Sequence, residues 1–440
     1  GCLGPILKQS KPAAHHAIFM KRATVTAPAS NKLHRHLRLS DIRGVAQLAT
    51  QAIFGVTRII EGVHHSVLHT IGISEQENTG QTRGVTGIVY RSIHGATSSL
   101  GKGLDASLSA LEALLGDKGN GKPTTPERES FLAALNGVMG DWLLARDNPL
   151  AISMTLRYQD EVLNGQSIES LPAASGKVML LIHGLCMNDL RSHARRQDQQ
   201  PDHGEVLASA LGYTPVYLRY NSGLHISQNG HELAAQLDQL VTHWPTPIEE
   251  LTVVAHSMGG LLIRSAVHYA KEKGLCWPEQ LQNIVFLGTP HHGAPLEKAG
   301  NWFDALLRIT PYSKPFAKLG QVRSAGITDL RYGHVLDDDW HGLDRFDLHF
   351  DQRRGLPLPD NVACYTVAAT TSEEHSTLGN RLIGDGLVPL HSSLGRHDDA
   401  QKTLSFADEA RWTVYGTNHM QLLSSAEVNR QIVHWLKPAQ

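Results

Sequence analysis

Between about residue 150 and the end of the chain, short apolar runs alternate with stretches of helical period. Met154 to Val162 can pair as early strands. Lys177 to Ile182 carries the unbroken run V-M-L-L-I, and Val216–Tyr220, Leu251–Val254, Asn283–Leu287, Val362–Ala368 and Trp412–Tyr415 follow. Runs apolar at every position suit strands covered on both faces of a parallel sheet. Between them the 3.6-residue period predicts helices over His231–Trp244, from the turn after Leu251–Val254 to Lys273, and near the C-terminus. Alternating β and α units over some 290 residues predict an open, mostly parallel α/β sheet with helices on both faces. Leu296 to about Pro359 interrupts the alternation as a helical insertion bearing Trp302, Phe303, Leu306, Leu307, Tyr312 and Phe316.

The first third reads differently. Residues 1–40 hold Lys8, Lys11, Lys21, Arg22, Lys32, Arg35 and Arg38 with no acidic residue, which predicts a basic, disordered arm. It is either a loose terminus or a segment drawn to an anionic membrane surface. From Asp41, an N-cap candidate, Ile42, Val45, Leu48, Ile53, Val56, Ile60, Val63, Val67 and Ile71 recur at the helical period. After a break at Gly72–Gly87, a second series runs from Val89 to Leu115. Two such helices predict an amphipathic hairpin that packs either on the following domain or on a lipid surface. Gly116–Pro126 reads as a linker and Glu127–Leu144 as a further helix, with Phe131, Leu132, Leu135, Val138 and Trp142 facing inward. Domains are thus expected at 1–40, 41–148 and 149–440.

Composition narrows the function classes. A net charge of −2 over 440 residues gives no electrostatic case for nucleic acid as a partner. Four cysteines, far apart and without C-x-x-C spacing, argue against a disulfide scaffold or a thiolate zinc site and suit a reducing compartment. No apolar run reaches the roughly 18 residues that a membrane span needs. A cytoplasmic place, or one peripheral to a membrane or lipid surface, is expected, with secretion left open. The oligomeric state is not written in the sequence.

The chemistry gathers around L-T-V-V-A-H-S-M-G-G, Leu251–Gly260. A strand turning sharply into a helix around one serine admits only small neighbours, which is the physical content of the G-x-S-x-G elbow, here with Ala255 at the first glycine. A serine hydroxyl needs a base, and the base an orienting acid. Gly384-Asp385-Gly386 and Thr417-Asn418-His419 supply them in the order Ser257, Asp385, His419, each in a loop past a later strand. Two convergent N–H groups must face the oxyanion. Met258 at the helix start gives one, and Leu185 of His183-Gly184-Leu185 the other, with Gly184 letting the backbone approach. Cys186 reads as a small buried residue. The neighbours His291 and His292 point to different sides and do not make a shared metal site. The acidic run Asp337–Asp351 lacks spaced oxygen ligands and reads as a solvated surface.

A-H-S-M-G-G, H-G-L, G-T-P-H-H-G-A-P, G-D-G-L-V-P and a late N-H-M resemble bacterial lipases and esterases of the α/β-hydrolase superfamily. The alanine at the elbow is similar to lipases of Bacillus type, and the G-T-P-H-H-G stretch to the PGAP1-like group. The resemblance covers about Leu150–Gln440. It implies Ser257 as nucleophile, Asp385 as acid, His419 as base, Leu185 and Met258 as oxyanion donors, and the 296–359 insertion as a lid. His183, Gly184, His256, Trp302 and Phe303 are the expected substrate-binding residues. The expected activity is carboxylic-ester hydrolysis of acyl-chain substrates (glycerides, phospholipid esters or polyesters), without metal or cofactor. Acyl transfer by the same residues, and a lipid- or granule-surface binding role for the N-terminal helices, are the alternatives.

Overall fold

The computed structural model describes residues 126–172, 174–189, 203–294, 323–344, 351–373 and 384–437, together with Ser40, Arg43, Gly44 and Gln47. Contacts divide the chain into two compact units, Gly1–Leu37 and Arg38–Gln440, and every described residue belongs to the second. The expected basic arm, and the hairpin apart from four of its residues, lie outside the described residues. Those four are helical, and Gly44 sits against Asn148 and Leu150, its carbonyl accepting from Asn148 Nδ2 at 3.2 Å.

Eight strands form one sheet: β1 (Thr155–Tyr158), β2 (Glu161–Val162), β3 (Lys177–Ile182), β4 (Thr214–Arg219), β5 (Glu250–His256), β6 (Leu281–Leu287), β7 (Ala363–Ala369) and β8 (Arg411–Val414). Their order is β2-β1-β4-β3-β5-β6-β7-β8. β1 is antiparallel to both neighbours, and every pair from β4 to β8 is parallel. β5 lies at the centre, with Leu180 of β3 opposite Val253 and Phe286 of β6 opposite Ala255.

The period of two explains why the central runs are apolar throughout. Val178, Leu180 and Ile182 of β3 and Leu251, Val253 and Ala255 of β5 enter one core. It is shared with α4 (Ile226–His243) and α5 (Met258–Glu272). Met179 and Val254 point the other way, into a second core with Leu207 of α3 (His203–Leu211) and Val428, Ile432 and Leu436 of α8 (Ala426–Leu436). Both faces are buried, so neither can be polar. The short helices α2 (Gly165–Glu169) and α7 (Leu390–Ser393) sit in connections. Among the described residues, no helix is long and apolar enough to cross a membrane.

α1 (Pro126–Leu144) bends at Met139, whose φ of −145° leaves the helical region. Leu132, Leu135 and Val138 are buried as expected, whereas Phe131 is 42% exposed and Trp142 is only half-buried under Arg146. The inward face is turned from the expected one because two glycines bring α1 onto loops. A Cβ on Gly137 would lie 2.3 Å from Cys186 Sγ, and one on Gly140 1.8 Å from Asn221 Oδ1.

The second half of the predicted insertion is partly described. α6 (Ala325–Tyr332) begins at Ser324, and the chain beyond it packs along α4 and α5. Ser265 Oγ donates to the Val335 carbonyl at 2.6 Å, and Trp340 Nε1 donates to Ser227 Oγ at 2.9 Å. The acidic run is a solvated surface only in part: Asp338 and Asp344 are exposed, but two of its carboxylates are engaged. Asp339 is buried, accepting from the Val335 and Leu336 N–H groups, and Asp351 pairs with Arg353 and Lys402, which hold its carboxyl well below the usual range.

Candidate active site

Ser257 stands between β5 and α5 with φ 54° and ψ −122°, a left-handed conformation that a non-glycine residue holds only where its surroundings enforce it. The enforcement is visible. The Ser257 N–H donates to the Leu287 carbonyl at 2.8 Å, and Gly259 and Gly260 let α5 start flush against neighbouring strands. A Cβ on Gly259 would be 2.8 Å from the Ile182 carbonyl oxygen, and one on Gly260 2.1 Å from Thr289 Oγ1. Those approaches are the structural reason for M-G-G after the serine.

Asp385 and His419 are brought together at the same edge of the sheet. His419 Nδ1 is 2.6 Å from Asp385 Oδ2, with both side chains buried. The other carboxylate oxygen, Oδ1, accepts from the Leu387 and Val388 N–H groups at 2.9 and 2.8 Å. The His419 N–H donates to the Asp385 carbonyl at 3.1 Å. Flanking glycines make this tight loop possible: Gly384 and Gly386 have φ 46° and 93°. The His419 ring rests against Gly288, where a Cβ would be 3.1 Å from Nδ1. His256, buried beside the serine, lies 4.6 Å from the His419 ring, and its Nε2 meets the His419 carbonyl at 3.1 Å. It fastens the histidine loop to the end of β5.

The His183–Leu185 segment crosses directly over Ser257. A Cβ on Gly184 would be 2.9 Å from the Ser257 Cβ and 3.2 Å from His256 Nδ1. The Leu185 N–H bonds to no other described backbone group. Met258 is the first residue of α5, where an N–H has no intrahelical acceptor one turn back. The His183 ring stacks on Tyr220 at 4.5 Å, and Tyr220 Oη donates to the His183 carbonyl at 2.9 Å. Burial pushes His183 down to about 4, so its Nδ1–H donates to the Gly184 carbonyl at 2.9 Å from a neutral ring. Trp302 and Phe303 lie outside the described residues.

Sequence reasoning missed the segment after β4. Tyr220 supports His183, and Ser222 Oγ accepts the Cys186 N–H at 3.1 Å. A polar, glycine-bearing run at the C-terminal end of a parallel strand, here Asn221-Ser222-Gly223, is the signal that could have revealed it. His291 is buried against Phe286 and Phe406, while the half-buried His292 meets His397. Burial lowers His291 well below its ordinary value and His292 to about 3. Among the described residues, no group of three or more His, Cys, Asp or Glu side chains could hold a metal ion.

A mostly parallel eight-stranded sheet with a serine on a strained strand-to-helix turn at its centre defines the α/β-hydrolase fold. The family model of the PGAP1-like alpha/beta domain matches residues 173–356. No curated protein matches the chain. Among solved structures, the chain is similar to the Bacillus licheniformis lipase BlEst2 in mature form, at 17% identity over 60% of this chain and 93% of that one, TM-score 0.38. It is similar also to the Pyrococcus furiosus esterase Pf2001, at 14% identity over 64% and 90%, TM-score 0.33. The hyperthermophilic esterase of Pyrobaculum calidifontis is a third likeness, at 13% identity over 59% and 72%, TM-score 0.37.

Proposed function

We propose that this protein hydrolyses carboxylic esters through an acyl-enzyme on Ser257. The observation that carries the reading is the 2.6 Å contact of His419 with a buried Asp385 at the sheet edge where the elbow presents its serine. In this mechanism His419 takes the Ser257 proton as the hydroxyl oxygen attacks the ester carbonyl. The Asp385 carboxylate stabilises the imidazolium, and the Leu185 and Met258 N–H groups hold the tetrahedral oxyanion. His419 then protonates the departing alcohol. A water molecule, deprotonated by the same histidine, attacks the acyl-enzyme, and collapse releases the acid and Ser257. No step calls on a metal or an organic cofactor.

Substrates with an acyl chain are favoured by the apolar composition of the insertion that follows β6. The chain leaves the loop after β6 at Ala294, whose N–H donates to the Leu330 carbonyl, and returns at Ser324, which bonds to the Gly137 carbonyl. The apolar residues Trp302, Phe303, Leu306 and Leu307 belong to the segment between these anchors. Hydrolysis of p-nitrophenyl esters over a range of chain lengths tests both parts. Wild type is expected to turn over, with Ser257→Ala at least about 10⁴-fold slower. A folded Ser257→Ala protein as active as wild type would overturn the mechanism.

A further inference from the structure

The oxyanion loop is built on parts that lie outside the strand it follows. The turn at Leu185–Cys186 contains a non-glycine residue in the left-handed region, Cys186 at φ 59°. Such a conformation costs on the order of 1–3 kcal/mol and persists only where neighbours over-determine it. Three neighbours do so. Ser222, 1% exposed in the loop after β4, accepts the Cys186 N–H through Oγ at 3.1 Å. Gly137 of α1 lies so close that a Cβ there would be 2.9 Å from Cys186 N and 3.0 Å from its Cα. Farther along the loop, Asp189 shares Arg219 with Glu129 of α1, at 2.6 and 2.7 Å.

α1 is itself pinned from the opposite side. Ser324 Oγ donates to the Gly137 carbonyl at 2.6 Å, and the Ala325 N–H to Asp141 Oδ2 at 3.0 Å. Gly223 completes the wedge, since a Cβ there would stand 2.1 Å from the Asn136 carbonyl oxygen. The helix backbone, the loop after β4 and the start of α6 therefore meet behind the turn that carries the Leu185 N–H. Helix α1 precedes the matched domain at 173–356, so this support comes from outside it.

We infer that Gly137 and Ser222 are positioning residues for the oxyanion hole, holding the Leu185–Cys186 turn so that the Leu185 N–H faces the reacting carbonyl oxygen. The inference rests on the ester-hydrolase reading above. Gly137 acts by its missing side chain: any Cβ pushes Cys186, and with it Leu185, away from α1. Ser222 acts as the acceptor that fixes the strained peptide. Neither touches substrate. Their effect belongs to the tetrahedral state, because a planar ester carbonyl leans less on the donors than the oxyanion does.

The test uses the full chain, the p-nitrophenyl ester that wild type turns over fastest, and an alkylboronic acid whose tetrahedral adduct presents an oxygen to the same donors. Ser222→Ala is expected to lower kcat about tenfold, a fraction of what losing a donor outright costs, with KM within about twofold. The boronate inhibition constant is expected to rise by the same factor, with the thermal midpoint lowered by no more than a few degrees. Gly137→Ala is expected to lower kcat about 100-fold. Should that variant fail to fold, Ser222→Ala carries the test alone. A folded Ser222→Ala with wild-type kcat and boronate affinity, or a loss confined to KM, overturns the inference. A wild type that neither turns over esters nor accepts a fluorophosphonate on Ser257 would instead sink the ester-hydrolase reading itself.

Discussion

The two halves of the site meet at Ser257 and are held by different means. The nucleophile half is mostly local: β5, the elbow and α5 are one continuous stretch, its strained turn eased by Gly259 and Gly260 and held from outside by the bond of the Ser257 N–H to the Leu287 carbonyl. The oxyanion half is assembled at a distance. His183–Cys186 is braced by Tyr220 and Ser222 from β4's loop and by Gly137 from a helix nearly fifty residues upstream. The acid and base are intermediate, two separate loops joined by their own side chains and by one backbone bond from His419 to Asp385. A segment that makes its own geometry needs only the right local residues. A segment that borrows it needs fitted surfaces, and its failures will come from residues that never meet the substrate.

After Ser257 itself, the largest loss of activity is expected at the acid. Asp385→Asn leaves the loop volume unchanged but removes the charge facing His419, and ester turnover is expected to fall about 10³-fold or more. Steady-state kinetics on the purified variant checks this, and a loss below tenfold would mean that His419 is oriented by other means. Gly184→Ala comes next. Its Cβ must displace either Ser257 or the loop, being 2.9 Å from the serine Cβ, so kcat is expected to drop about 100-fold with the fold retained. Wild-type kcat in that variant would show that the loop has slack, contrary to the bracing described. The remaining effect bears on stability rather than turnover and concerns pH. His183, His291 and His292 all have folded values lowered by burial, to about 4, well below the ordinary value, and about 3. In the unfolded chain they take up protons near pH 6.5, where the native state does not. Stability is therefore fully present above that pH and declines as pH falls toward 4, by at most about 1.4 kcal/mol per pH unit for each histidine. Urea unfolding at pH 7.0, 5.5 and 4.5 would measure it, and a flat profile would refute the buried neutral state.

The same contrast governs what could be read from the sequence. The strands of the sheet, the elbow, and the glycine-flanked Asp385 were legible because each is encoded by neighbours in the chain. The helix α3 was not, since its buried residues include His203 and Gly204 beside Leu207, and polar or absent side chains hide the helical period. His203 is accommodated by Asn429 and the Leu422 carbonyl, partners more than two hundred residues away. Phe131 was expected inside, but Gly137 and Gly140 decide which way α1 turns. Asp339 and Asp351 were hidden within an acidic run that reads as solvated, because their counter-groups, the Val335 and Leu336 N–H groups, Arg353 and Lys402, are assigned by tertiary structure. Ser222 left no trace beyond a polar strand end.

The most direct test of the account is to trap the acyl-enzyme. Wild type is mixed with a p-nitrophenyl ester, quenched in acid within the first turnovers, digested, and searched by mass spectrometry for the acyl group. The modification is expected on the peptide containing Ser257, is lost in Ser257→Ala, and accumulates when Asp385→Asn slows deacylation. Turnover with the acyl group on another residue, or undiminished turnover in Ser257→Ala, would contradict an acyl-enzyme on Ser257.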